Sequence, residues 1–144
     1  MSHDALWLEN QPCFPLYAAS REVIKRYRPH LDALGLTYTQ YIVLLVLWEH
    51  GTISVRDLGH RLYLDSGTLT PVLKTLEKEG LITRRRSTQD ERVLMITLTP
   101  AGMALQEKAQ EIPAVIRESL GLDETERQTL MQLLKKLLVA TGEG

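Results

Sequence analysis

Apolar positions in the first third of the chain recur at alternating intervals of four and three. Cys13, Tyr17, Ser20, Ile24, Tyr27, Leu31 and Leu34 form this series, which predicts one helix over residues 13–34 with Gly35 as its stop. Pro12 lies just before this helix and Pro15 in its first turn, where a missing N–H has no intrahelical acceptor, whereas Pro29 is expected to kink the later part. Thr37-Tyr38-Thr39-Gln40 has capping-box spacing, so a second helix begins near Tyr38 and ends at His50-Gly51. Its stretch from Tyr41 to Trp48 is apolar all round, the pattern of a centrally buried helix. Ser54, with Asp57 three residues on, opens a short third helix ending near Arg61, and Asp65 caps a fourth that runs to Gly80. Leu69, Val72, Leu73 and Leu76 form the inward stripe of the fourth helix, leaving Thr70, Pro71, Lys74 and Lys78 outside.

Beyond Gly80 the period changes. Residues 81–86 and 92–98 are β-prone runs separated by the polar turn Ser87-Thr88-Gln89-Asp90-Glu91, which predicts a hairpin with a charged tip. Thr99-Pro100 opens a fifth helix carrying Leu105, Ala109, Ile112 and Ile116, and Pro113 is expected to bend it. Asp123 and Glu126 repeat the capping box before a last helix with Leu130, Leu133, Leu134, Leu137 and Leu138. The fold class expected is mainly α with a small β-hairpin wing: a winged helix-turn-helix at 37–98, between an N-terminal helix at 1–36 and C-terminal helices at 99–144. The terminal stripes exceed what so small a central lobe needs, so both terminal regions are expected to dimerise. A helix fits the major groove of a duplex and a thin basic β-arm reaches the adjacent minor groove. Small hydroxyl residues at the start of the fourth helix, with Arg84, Arg85, Arg86 and Arg92 on the hairpin, point to DNA rather than to a structural helix pair.

Charge sharpens that picture by its placement. The net charge of the 144 residues is −1, yet residues 54–98 hold eight Lys/Arg against six Asp/Glu, while both flanking segments are net negative. So modest an excess needs base contacts and helix N-termini to assist attraction to phosphate. No apolar run approaches a membrane span and the start lacks a signal-peptide pattern, so a cytoplasmic protein with no membrane partner is expected. His3, His30, His50 and His60 show no ligand spacing, and neither a phosphate loop nor a dinucleotide fingerprint is present, so no metal, cofactor or enzyme is indicated. Cys13 is the single cysteine and cannot form an internal disulfide; it is a buried thiol, a reactive one, or one that pairs with another molecule.

The run Asp90-Glu91-Arg92 followed by Leu98-Thr99-Pro100-Ala101-Gly102, with Leu76-Glu77-Lys78-Glu79-Gly80-Leu81-Ile82 before it, resembles the MarR family of transcription repressors across almost the whole chain. The resemblance implies that Asp65, Ser66, Thr68, Thr70 and Lys74 belong to the major-groove helix and that Arg92 enters a minor groove. Asp90 is then either the residue that orients Arg92 or a turn former. The runs from Leu8 to Glu22 and from Tyr63 to Pro71 resemble the organic-hydroperoxide-responsive members of that family, and the absence of further cysteines matches the one-cysteine subclass. This implies that Cys13 is the peroxide-reactive residue and that Tyr17, Tyr27 and Tyr38 surround it.

The chemistry is coherent without the resemblance. Free N–H groups and the positive dipole end at a helix N-terminus favour thiolate, the form that attacks a peroxide oxygen. The product is a sulfenic acid, which condenses with a small cellular thiol, cyclises onto a backbone nitrogen or over-oxidises. Two other functions fit the same residues: a MarR-type repressor released by a small aromatic ligand, and a one-cysteine thiol peroxidase. The first reading expects a homodimer on an inverted-repeat operator. Fourteen residues of helix hold the Cys13 and Tyr27 backbones roughly 21 Å apart, so a shared site needs two chains.

Overall fold

The computed structural model describes residues 3–142. Two short 3-10 turns, Asp4–Leu6 and Leu8–Asn10, lead into α1 (Cys13–Asp32), α2 (Tyr38–His50), β1 (Thr52–Ser54), α3 (Val55–Leu62), α4 (Ser66–Lys78), β2 (Ile82–Arg86), β3 (Leu94–Leu98), α5 (Pro100–Ala109), α6 (Ile112–Ser119) and α7 (Glu124–Thr141). The expected caps are in place. The Gln40 N–H donates to Thr37 Oγ1 while the Thr37 N–H donates to Gln40 Oε1, and Asp123 and Glu126 make the same reciprocal pair.

Because α2 has no polar face, the lobe assembles around it. Val43, Leu44 and Leu47 are completely buried, and α1, α3, α4, α5, β1 and β3 all pack against this helix. Leu58 of α3, Leu69, Leu73 and Leu76 of α4, and Ile82 and Ile96 of the sheet complete the core. Trp48 extends it to α5, its indole N–H donating to the Gly102 carbonyl at 2.9 Å.

Three features depart from the sequence expectation. The hairpin gains a third strand: β1 pairs antiparallel with β3 (Ile53 opposite Ile96), giving the order β1-β3-β2. Pro113 does not bend one helix but separates two, because it cannot donate to the Ala109 carbonyl and its ring would strike that group; α5 ends at Ala109 and Pro113 sits in the first turn of α6. The stripe on α1 divides, with Leu31 buried and Tyr27 half-buried against the lobe while Cys13, Tyr17, Ser20 and Ile24 lie exposed. On α7 no described residue is buried, and Leu130, Leu133, Leu137 and Leu138 face solvent. Among the described residues no helix is long and apolar enough to cross a membrane.

The turn between α3 and α4 is tight enough to exclude a side chain. Tyr63 caps α3 in the left-handed region (φ 56°), and the Leu64 N–H donates to the Gly59 carbonyl at 3.0 Å. A Cβ on Gly59 would lie 2.7 Å from the Leu64 carbonyl oxygen. Gly59→Ala should therefore cost about 1–3 kcal/mol, read as a lower denaturant midpoint at unchanged slope. A midpoint equal to wild type would show that the turn relaxes without strain.

Candidate nucleic-acid interface and thiol site

The outward face of α4 is built by its cap and its buried stripe together. Leu69, Leu73 and Leu76 fix the helix from below, leaving Ser66, Thr68 and Lys74 exposed on the opposite side. Asp65 Oδ1 accepts the Thr68 N–H at 2.7 Å, a bond that holds the Asp65 carboxyl below its ordinary range. Thr70 is half-buried and its hydroxyl donates to the Ser66 carbonyl at 2.6 Å. Its hydroxyl is thereby turned back onto the helix backbone rather than outward.

On the wing, Asp90 takes both expected roles at once. Its Oδ1 accepts the Arg92 backbone N–H at 3.0 Å, which makes the turn, and the Arg92 Nε–H at 3.1 Å; Nη2 donates to Oδ2 at 3.2 Å. The guanidinium beside it holds the Asp90 carboxyl below its ordinary range. Arg92 nonetheless stands out from the wing with its side chain 91% exposed. Arg86 is exposed on β2, but Arg84 turns its guanidinium back onto Glu77 of α4 and keeps only 22% of its side chain in solvent. Sequence reasoning misses Glu77, since the pair joins a helix end to a strand across a turn and no local period links them. Thr99, expected only as a helix cap, does more: its hydroxyl donates to the Gly80 carbonyl at 2.6 Å while accepting the Gly102 N–H at 3.1 Å.

Cys13 is exposed at the first position of α1, after Pro12, and no side-chain hydrogen bond caps the helix there. Tyr17 lies one turn further along, its hydroxyl accepting from Arg21 Nη1 at 2.9 Å and its ring 5.5 Å beneath the same guanidinium. Tyr27 belongs to a different cluster. Its ring meets Tyr38 edge-on at 4.9 Å between centroids and Tyr41 at 5.7 Å, and Tyr41 in turn meets Trp48. Burial, with Tyr38 and Tyr41 adding to it, pushes the Tyr27 phenol up to about 12, so it is a proton donor at neutral pH. Because α1 runs unbroken from Cys13 to Asp32, the Cys13 and Tyr27 backbones stay roughly 21 Å apart within one chain.

Residues 25–112 match a family model described as transcriptional regulator SarA/Rot. The organic hydroperoxide resistance transcriptional regulator of Bacillus subtilis is 54% identical over 134 residues, covering 93% of this chain and 89% of that protein. Among solved structures, a mutant MarR from E. coli complexed with operator DNA is 28% identical with TM-score 0.83, covering 92% of this chain and 98% of that one. The chain belongs to the MarR family of winged-helix transcriptional regulators. Reduced AbfR bound to DNA, a protein of Staphylococcus epidermidis, is 38% identical with TM-score 0.80 over 97% of this chain and 96% of its own. These relatives are regulators rather than enzymes.

The aromatic cluster of this MarR-family protein carries a pH signature. Below pH 10 the Tyr27 phenol is protonated folded or unfolded; between the ordinary value of 10.0 and about 12 the unfolded chain loses its proton first. The stability that the buried phenol contributes is fully present below pH 10 and is lost as pH rises towards 12. Tyr27→Phe should remove the phenolate absorbance component that titrates last and flatten the alkaline fall in stability. An unchanged titration curve would place the late-titrating phenol elsewhere.

Proposed function

We propose that the chain is a dimeric repressor that releases an inverted-repeat operator when an organic hydroperoxide oxidises Cys13. The observation that carries this reading is the exposed thiol at the open end of α1, on a helix whose unburied stripe still seeks a partner. Residues 1–36 serve sensing and dimerisation, 37–98 read DNA, and 99–144 complete the dimer. Phe14, Tyr17 and Ile24 on α1 and Leu130, Leu133 and Leu137 on α7 supply apolar surface for a two-fold interface. A dimer then presents two copies of α4 to successive major grooves, with half-sites about 10 base pairs apart. Ser66, Thr68 and Thr70 face base edges beside Asp65, which sets the helix start; Lys74 and Arg86 meet phosphate, and Arg92 enters the minor groove.

Oxidation proceeds by attack of the Cys13 thiolate on a peroxide oxygen; the O–O bond breaks, the alcohol leaves and a sulfenic acid remains. A small cellular thiol then displaces water to form a mixed disulfide. First helices crossing antiparallel near Ser20 bring Cys13 of one subunit to Tyr27 and Tyr38 of the other, with Tyr17 beside the thiol; phenol hydroxyls donate to the sulfur until oxidation removes that acceptor. A bulky adduct parts the interface and resets the spacing of the two α4 helices. AbfR has been captured reduced on DNA, overoxidised on DNA and disulfide-formed, which supports a redox-sensing role and favours the bulky adduct over a small oxide as the releasing species. As a DNA-binding regulator the protein acts in the cytoplasm.

Cys13→Ser should retard operator DNA like wild type and keep it after cumene hydroperoxide plus a small thiol, conditions that release wild type. Release of the variant would sink the sensing role of Cys13. Arg92→Ala should weaken binding by about 1–3 kcal/mol, and sedimentation at micromolar concentration should give a dimer. Heterodimers pairing Cys13→Ser with Tyr27→Phe keep one intact thiol–phenol pair, whereas a chain carrying both changes, paired with wild type, keeps none. Equal reactivity of the remaining cysteine in the two would rule out a shared site.

A further inference from the structure

Three cations stand in sequence on β2, and the fold neutralises one of them. Arg84 Nη2 and Nε donate to Glu77 Oε1 at 3.0 and 3.2 Å, and the Arg84 backbone N–H donates to Oε2 at 3.3 Å. The arginine in turn holds the Glu77 carboxyl below its ordinary range. Strand alternation explains the placement: Ile82 is fully buried, so Arg84 two residues on shares its inward face, opposite the buried Ile96 of β3. Glu77 sits in the last turn of α4, so these contacts fasten the foot of the wing to the end of that helix.

Phosphate contacts raise affinity for every duplex alike, whereas discrimination comes from base edges and from fixed register between the reading elements. We propose that Glu77 is a specificity-determining positioning residue, which withholds Arg84 from DNA phosphate and fixes the wing, with Arg92 at its tip, relative to α4. This rests on the DNA-binding reading above. Arg85 and Arg86, both exposed, remain the free cations of the run. An uncompensated arginine at position 84 would add attraction to any sequence; tied to Glu77, it adds geometry instead.

The test uses the full-length protein, a duplex enriched by wild type from a random pool, and the same duplex shuffled, with affinities measured by fluorescence anisotropy over a salt series. Glu77→Ala should tighten binding to the shuffled duplex, steepen its salt slope by about 0.9, the increment for one added phosphate contact, and lower enriched-over-shuffled discrimination. Arg84→Ala should keep the wild-type slope on the shuffled duplex yet lose discrimination, because the wing loses its anchor. Combining the two should return the slope to wild type. Glu77→Gln, isosteric and uncharged, should change slope and discrimination in the same direction and less, and it serves if the alanine variant melts early. A slope shallower by about 0.9 in Arg84→Ala would mean that Arg84 already contacts phosphate, overturning the proposal. So would an unchanged slope in both folded Glu77 variants. If wild type enriches no duplex at all, the DNA reading itself falls and takes this role with it.

Discussion

A helix without a polar side must be covered nearly all round, and in this molecule that requirement falls on α2, where from Tyr38 to Trp48 only Leu45 stays exposed. Val43, Leu44 and Leu47 leave no surface to water, so helices before and after it in sequence, and two of the three strands, are drawn to one axis. The positions of the DNA-facing elements follow. α4 presents its outward face because Leu69, Leu73 and Leu76 are committed inward, and the wing projects because Ile82 and Ile96 anchor its base. Even the aromatic cluster that Tyr27 of α1 joins is built on Tyr38 and Tyr41, the first turn of α2.

The thiol obeys a different logic. Nothing in the lobe's core depends on the first turns of α1, which contribute no buried residue before Leu31. Under the proposed mechanism, oxidation there leaves the outward face of α4 chemically untouched, so the signal travels as a change in how two lobes are held. The weak overall charge agrees with such a design. With net charge −1, the chain as a whole exerts little long-range attraction on a polyanion, so contact with DNA rests on where its cations and helix ends are placed.

Local chemistry was plain in the sequence. Ser54, Asp65, Thr99, Thr37 and Asp123 each accept the N–H expected of a cap, and the inward stripe of α4 buries Leu69, Leu73 and Leu76, whereas the stripes of α1 and α7 stay largely exposed. β1 was missed because three residues, Thr52 to Ser54, show no alternation; only pairing with β3 makes them a strand. The break at Ala109 was read as a bend because the four-three spacing of Leu105, Ala109, Ile112 and Ile116 runs straight through it. Of the candidate site, Asp90 and Arg92 were legible two residues apart. Glu77 with Arg84, and Trp48 with Gly102, were not, because partners from different elements leave no pattern in sequence. Cys13 with Tyr17 and Tyr27 with Tyr38 lie far apart along α1 and the start of α2, so no local spacing in the sequence joins them.

The Thr99 hydroxyl, bonded at once to the Gly80 carbonyl and the Gly102 N–H, makes a braced corner of the end of α4 and the start of α5. The Leu81 carbonyl accepts the Thr99 N–H at 3.1 Å and lies where a Cβ on Gly102 would have to go, so the corner has little room to hinge. A rotation imposed on α5 therefore arrives at α4 as a lever. The 13 residues of α4 span about 20 Å, so turning the corner by about 10° sweeps the Ser66 end through about 3 Å. Hydrogen bonds to base edges tolerate roughly half an ångström in length. A shift too small to disturb the lobe's core thus moves the Ser66 end of α4 by several times that tolerance.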